Sequence, residues 1–183
     1  MVLSNAHLFP HSLMPLYIFE QRYRDMLRYA LERDRMWVIA CPKDAETEDL
    51  HSVAGLGLIR ACVQNADGTS HLVMQGIRRI RMRSLQTQGS FRVAQIDPVQ
   101  SVQWPQDLVE VLNARLLTCV AKLKAAGNQL PAQFEQQLSA IESPEIVADI
   151  ISAALVADTA FRQALLEQVE VSKRLEQLLE WFE

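Results

Sequence analysis

The chain has 183 residues, of which 49% are apolar and 22% charged, with a formal net charge of −4. Such a composition belongs to an ordinary soluble globular protein that buries roughly 70% of its unfolded surface, and it excludes a disordered or collagen-like chain. No apolar run approaches the ~20 residues of a membrane span, and the amino terminus has neither the basic nor the apolar region of a secretory signal, so a cytoplasmic location is expected.

Pro10 and Pro15 open the pattern. Each removes a backbone donor and pushes its predecessor toward extended geometry, so Leu8 to Ile18 cannot begin as a helix. Phe19, Tyr23, Met26, Leu27, Ala30 and Leu31 then recur at spacings of three and four, which predicts an amphipathic helix with Phe19 in its apolar stripe. Met36 to Cys41 is a short continuous apolar run, expected to be a strand buried on both faces and ended by Pro42. The acidic stretch Lys43 to Asp49 reads as a solvated loop. Val53 to Val63 predicts a second strand whose glycines permit a bulge or a tight bend. Asn65 to Gly68 is a turn signal, with His71 to Met74 as the return strand. Gly76 is expected to break the chain. Beyond it, Arg79, Arg81 and Arg83 alternate with Ile80 and Met82, a period of two that puts the three arginines on one strand face. Phe91 to Ile96 is a last strand before Asp97-Pro98.

From Trp104 the period changes to 3.6. Pro105 suits a helix start, and the stripe from Leu108 to Leu123 ends at Gly127-Asn128. Pro131 opens a second helix through Phe134, Leu138 and Ile141. Ser143-Pro144-Glu145 starts a third, with an expected oxygen cap. Asp158 or Thr159 begins a fourth, and Ser172 is expected to cap a fifth. Short helices with brief links pack as an antiparallel bundle. Charge divides the same way: residues 1–103 sum to +2 and residues 104–183 to −6. Two lobes, 1–103 and 104–183, are therefore expected.

Leu8-Phe9-Pro10, Pro15-Leu16 and Ile18-Phe19-Glu20-Gln21-Arg22-Tyr23 resemble the opening of the Lon substrate-binding domain, the amino-terminal domain of ATP-dependent Lon proteases. The form of this run is most similar to stand-alone relatives. Gly76 to Arg81, Phe161 to Glu167 and Arg174 to Glu180 resemble later parts of that family, whereas Met1 to His7 matches it poorly. The resemblance implies an α+β fold: a β-rich, PUA-like pseudo-barrel lobe with one helix, then an α-helical bundle lobe. Pro15, Phe19, Glu20, Arg22, Tyr23 and Gly76 match the family motif and are expected to be scaffold, with Glu20 and Arg22 anchoring the helix start to the sheet.

Catalytic signals are absent from the sequence. There is no G-x-x-x-x-G-K-[ST] phosphate loop, and no segment resembling the Ser/Lys proteolytic domain. His7, His11, His51 and His71 have no ligand spacing, and Cys41, Cys62 and Cys119 are scattered, which predicts free buried thiols and no metal. Gly55-Leu56-Gly57 lacks the third glycine of a dinucleotide fingerprint. Ser12 beside His11 has neither an orienting acid nor an oxyanion hole. The expected protein is therefore not an enzyme and has no cofactor.

The resemblance implies recognition of unfolded or partly folded polypeptides, as an adaptor or chaperone-like module with a protease or chaperone as a possible partner. Extended peptides add to sheet edges, and Met14, Leu16, Tyr17, Trp37 and Trp104 are the candidate contacts. The alternative is RNA binding through Arg79, Arg81 and Arg83, since the PUA-like fold is familiar in RNA-modifying proteins. The acidic chain and the lack of aromatic residues near the stripe disfavour it. A polar pocket between the lobes would favour a small-molecule role instead.

Overall fold

Between Leu8 and Ile18 the backbone is not helical: it turns at Pro10-His11, where His11 has φ 64° and the Ser12 N–H donates to the Phe9 carbonyl oxygen at 3.2 Å, and in this computed structural model, which describes residues 1–44, 49–102, 105–126, 130 and 133–182, strand β1, Leu13–Ile18, follows that turn. Helix α1 (Gln21–Leu31) follows after two residues and buries Tyr23, Met26, Leu27 and Ala30. Strands β2 (Met36–Ile39), β3 (Val53–Gln64), β4 (Ser70–Gln88) and β5 (Phe91–Pro98) complete one antiparallel sheet. Its order is β1-β4-β3-β2, with β5 also on β4.

Gly76 does not break the chain. β4 runs through it for 19 residues, because its amino-terminal half pairs with β1 and its carboxyl-terminal half with β5, while β3 lies along the other edge. A bulge at Ile77 lets Gly76 face Gly57 and Arg78 face Leu56. Gly76 is required for a different reason: the Leu8–Phe9 backbone crosses the sheet here, and a Cβ on Gly76 would lie 1.9 Å from the Phe9 carbonyl oxygen. Gly55 meets the Leu8 carbonyl oxygen in the same way, at 2.0 Å.

Helices α2 (Gln106–Ala125), α3 (Phe134–Ser139), α4 (Pro144–Leu155), α5 (Thr159–Glu167) and α6 (Val171–Phe182) make the second lobe. Asp158 caps α5, its carboxylate accepting from the Phe161 N–H at 2.6 Å. The expected caps at Ser143 and Ser172 do not form: Ser143 makes no side-chain cap bond, and Ser172 lies inside α6, buried. The Gly127-Asn128 stop, the Pro131 start and much of the acidic loop after Lys43 lie outside the described residues. Cys41, Cys62 and Cys119 are free, but of the three expected buried thiols only Cys41 is buried, while Cys62 and Cys119 are half-buried.

The helical core includes Leu116, Ile151, Leu165 and Leu175, and it takes in Phe9 and Val53 from the sheet lobe. Beside this apolar contact lies a charged one. Arg79 of β4 donates through both terminal nitrogens to the Asp149 carboxylate of α4, at 2.8 and 2.6 Å, and through Nε to the Leu166 carbonyl oxygen at 2.9 Å. Arg174 of α6 donates to the same carboxylate at 2.8 Å. All three side chains are at most 2% exposed. Burial, and then the neighbouring Arg79 charge, lower the pKa of Arg174, while Asp149 and Glu145 oppose the shift.

Candidate polypeptide-docking face

β1 is an edge strand. The Gly76 N–H donates to the Ser12 carbonyl oxygen, so the even-numbered residues Met14, Leu16 and Ile18 turn their amides toward β4 and the odd-numbered residues turn theirs to the free edge. Pro15 lies at one of these free positions, which suits a residue with no N–H to offer. The edge therefore presents donors only at Leu13 and Tyr17, about 13 Å apart along the strand. A chain adding here would lack the middle rung, as natural edges often arrange.

Side chains divide with the same period. Met14 and Leu16 are half-buried and pack toward Ile18, Tyr23, Leu27 and Trp37. Leu13 and Tyr17 point outward, 65% and 48% exposed. Tyr17 opposes His71 of β4, which opposes Val63 of β3, and Val63 is 64% exposed. In the next row Pro15 opposes Val73, which opposes Ala61. Phe19, 60% exposed, extends the face: its ring stacks on Tyr17 at 5.9 Å, and His71 lies 4.7 Å from Tyr17 on the other side. Scattered single apolar residues are normal on a protein surface, but a contiguous aromatic and aliphatic patch of this kind marks an interaction surface. Basic residues flank it. Arg60 donates to Gln75, Arg24 reaches the Asp67 carbonyl oxygen at 3.4 Å, and Arg22 pairs with Glu20 at 2.8 Å.

Of the sequence-derived candidates, Tyr17 lies on this face, and Met14 and Leu16 lie behind it. Trp37 is 6% exposed within the sheet lobe, drawn inside because β2 packs against α1, and Trp104 is outside the described residues. Phe19 is not in the apolar stripe of α1: the helix starts only at Gln21, leaving Phe19 in the outward register of β1. Glu20 and Arg22 pair with each other at the surface and do not anchor the helix to the sheet. Tyr23 is buried, and its hydroxyl donates to the Val2 carbonyl oxygen at 3.0 Å. The three arginines form no common free face. Arg79 is enclosed because α4 packs on its side of the sheet. Arg81 is exposed near the Ser52 hydroxyl, and Arg83, the extra residue of a bulge, pairs with Asp97.

Leu13, Val63 and His71 were missed as face residues. Their signal was present: Leu13, Pro15, Tyr17 and Phe19 alternate with Met14, Leu16 and Ile18, so β1 is apolar on both sides although it is an edge. Among the described residues, no group of three His, Cys, Asp or Glu side chains is placed to hold a metal ion, and no helix is long and apolar enough to cross a membrane.

A family model described as the ATP-dependent protease La (LON) substrate-binding domain matches residues 1–183. The chain belongs to this family. The Lon protease of Xanthomonas oryzae pv. oryzae is 27% identical over 184 residues, covering 97% of this chain and 22% of the relative. The Lon protease of Escherichia coli K12 is 25% identical over 186 residues, covering 99% of this chain and 24% of the relative. The chain thus spans less than a quarter of the length of these relatives. In fold, it is similar to the N-terminal domain of the Mycobacterium avium complex Lon protease, with a TM-score of 0.81, 18% identity, and coverage of 100% of this chain and 95% of that one. It is also similar to a Lon N-terminal domain protein from Xanthomonas campestris, with a TM-score of 0.66, 21% identity, and coverage of 99% and 95%. The matched family model is that of a substrate-binding domain, not of a protease domain.

Proposed function

We propose that this Lon substrate-binding domain recognises unfolded or partly folded polypeptides without catalysing a reaction, and that it acts as an adaptor or chaperone-like holder. The observation that carries this reading is the exposed, contiguous Leu13–Tyr17–Phe19–Val63 face, which an extended apolar segment would cover. Each apolar side chain laid on it removes water-exposed area worth about 25 cal/mol per Å². With Pro15 interrupting the edge, side-chain contact to the face contributes more than added-strand hydrogen bonds. A free-standing existence, a protease or chaperone partner and a cytoplasmic location belong to the same proposal, and they rest on the form of the amino-terminal motif and on the family. The RNA reading loses its stripe with the burial of Arg79.

The test is a titration of the protein into a fluorescently labelled, permanently unfolded polypeptide, followed by anisotropy with excess RNA as competitor. Saturable binding that survives RNA and changes little with salt supports the proposal. Binding that RNA erases, or that falls steeply with salt, refutes it.

A further inference from the structure

The sheet has two further edges, β2 beyond β3 and β5 along the carboxyl-terminal half of β4, and both line a gap shared with α1. The edge of β2 is taken by the amino-terminal residues: the Ala40 N–H donates to the Met1 carbonyl oxygen, and the Leu3 N–H donates to the Ala40 carbonyl oxygen, each at 3.0 Å. The edge of β5 is open. Phe91 pairs with Gln88 across a two-residue turn, and just past the other end of the strand the Val99 N–H donates to the Arg79 carbonyl oxygen at 3.1 Å. The bulge between these points adds its residue to β4, so the alternation along β5 is unbroken. Odd-numbered amides of β5 turn to β4, and those of Ala94 and Ile96 turn to the gap. Among the described residues no group bonds these two. They lie about 7 Å apart, the two-residue repeat of an extended chain. Pro98 holds the next position on this edge and, having no N–H, ends the open run.

Beside this edge the gap forms a groove of about 330 Å³, and its walls continue the two faces of β5. On one side the Phe91 ring lies 5.3 Å from the Tyr29 ring of α1, with Met26 of the same helix also lining the groove. On the other side Ile96 opposes Met82 and Ala94 opposes Leu85, with Leu56 in the same apolar cluster as Met82. From open amides between two apolar walls we infer that the β5 edge is a strand-addition site for a run of consecutive apolar residues in extended conformation. Side chains of the added strand alternate between the α1 wall and the Met82 wall, so both sets must be apolar. Runs of this kind belong to strands buried on both faces, which folding hides. Met26 and Met82 adjust to side chains of different shape. An antiparallel strand exchanges about four hydrogen bonds with Ala94 and Ile96, whereas an aliphatic ligand would cover these amides and leave them unsatisfied. The inference rests on the reading that this domain takes unfolded polypeptide, and it adds a second subsite to it. β1 offers side-chain contact with its middle rung missing; β5 offers two successive rungs.

The test titrates the intact protein into a fluorescein-labelled peptide whose core of valines and isoleucines is flanked by lysine pairs, followed by anisotropy. An analogue with every core amide replaced by an ester is measured alongside. It keeps the shape and the side chains but has no N–H to donate. The amide peptide is expected to bind saturably, and the ester to bind about tenfold more weakly or worse. Ala94→Pro removes a gap-facing N–H that the fold does not use; it should weaken the amide peptide about fivefold and retain a cooperative melt. Tyr17→Ser/Phe19→Ser/Val63→Ser, on the outer face, should bind the short peptide as tightly as the wild type. Three outcomes overturn the inference. They are no saturable binding of the amide peptide, equal affinity for amide and ester, or loss of the short peptide in the outer-face variant. The last would place the peptide on the outer face and leave the polypeptide proposal standing. That proposal fails by a separate result, the absence of binding to the permanently unfolded polypeptide.

Discussion

Asp149→Ala should be among the most damaging single substitutions in the protein. Asp149 is fully buried and receives two guanidinium groups, Arg79 from the sheet lobe and Arg174 from α6. Removing one partner of a buried ion pair costs about 3–5 kcal/mol, because the charge left behind has neither partner nor water. Here two cations are left. The nearest remaining carboxylate, Glu145, lies 3.7 Å from Arg174 and also accepts from the Ser101 hydroxyl. The upper end of the range, about 5 kcal/mol, is therefore expected, against a total of about 5–15 kcal/mol for a typical domain. In urea, with a slope of about 2–3 kcal/mol per M, the midpoint should fall by roughly 2 M. Asp149→Asn should recover little, since it keeps the shape but not the charge. The triple change Arg79→Met/Asp149→Leu/Arg174→Met should recover most of the loss, because it removes the buried charges together. A loss below about 1 kcal/mol for Asp149→Ala would show that water reaches these arginines and that the lobes are not joined by this cluster.

Gly76→Ala should cost about 3 kcal/mol or more by driving a methyl group into the Phe9 carbonyl, and chemical denaturation would measure it. A second prediction concerns acid. His7 is 2% exposed and faces Arg162, Gln163, His51 and Glu167; its pKa is lowered to about 4, by burial first and then by Arg162. Its folded-state pKa is below the unfolded value of 6.5, so its contribution is complete above pH 6.5 and is lost as pH falls toward 4. Roughly 3 kcal/mol should disappear over that window, and His7→Asn should flatten the profile of urea midpoint against pH. On the docking face, Tyr17→Ser and Phe19→Ser should each change stability by only about 0.5 kcal/mol in thermal melts, since neither side chain is part of the core.

The backbone plan was legible because proline, glycine and periodicity act locally. Pro10 and Pro15 exclude a helix before Ile18, although Pro10 lies in a turn and only Pro15 in a strand, and the apolar spacing of Tyr23, Met26, Leu27 and Ala30 dictates a helix wherever it is placed. What was not legible depended on distant partners. A period-two run of arginines looks the same whether it faces solvent or a second lobe, and only the packing of α4 decides that Arg79 is enclosed while Arg81 is not. Gly76 reads as a chain break in one dimension. In three it is the position where another segment of backbone crosses the sheet. The candidate face was half visible: Tyr17 could be named, but sequence cannot tell Trp37, which is buried, from Phe19, which is not, until the register of β1 and the start of α1 are known. Val63 and His71 join the face only through strand pairing, which no local pattern records.

The central claim is that the outer face of β1, β4 and β3 docks unfolded polypeptide, and it is tested most directly by comparing the affinity of one labelled unfolded polypeptide for the wild-type protein and for Tyr17→Ser/Phe19→Ser/Val63→Ser. The account predicts at least a tenfold loss of affinity in the triple variant, from three exposed apolar contacts of about 0.5–1.5 kcal/mol each, with a melt that stays cooperative. Equal affinity in the two proteins would contradict it and move polypeptide recognition elsewhere on the molecule.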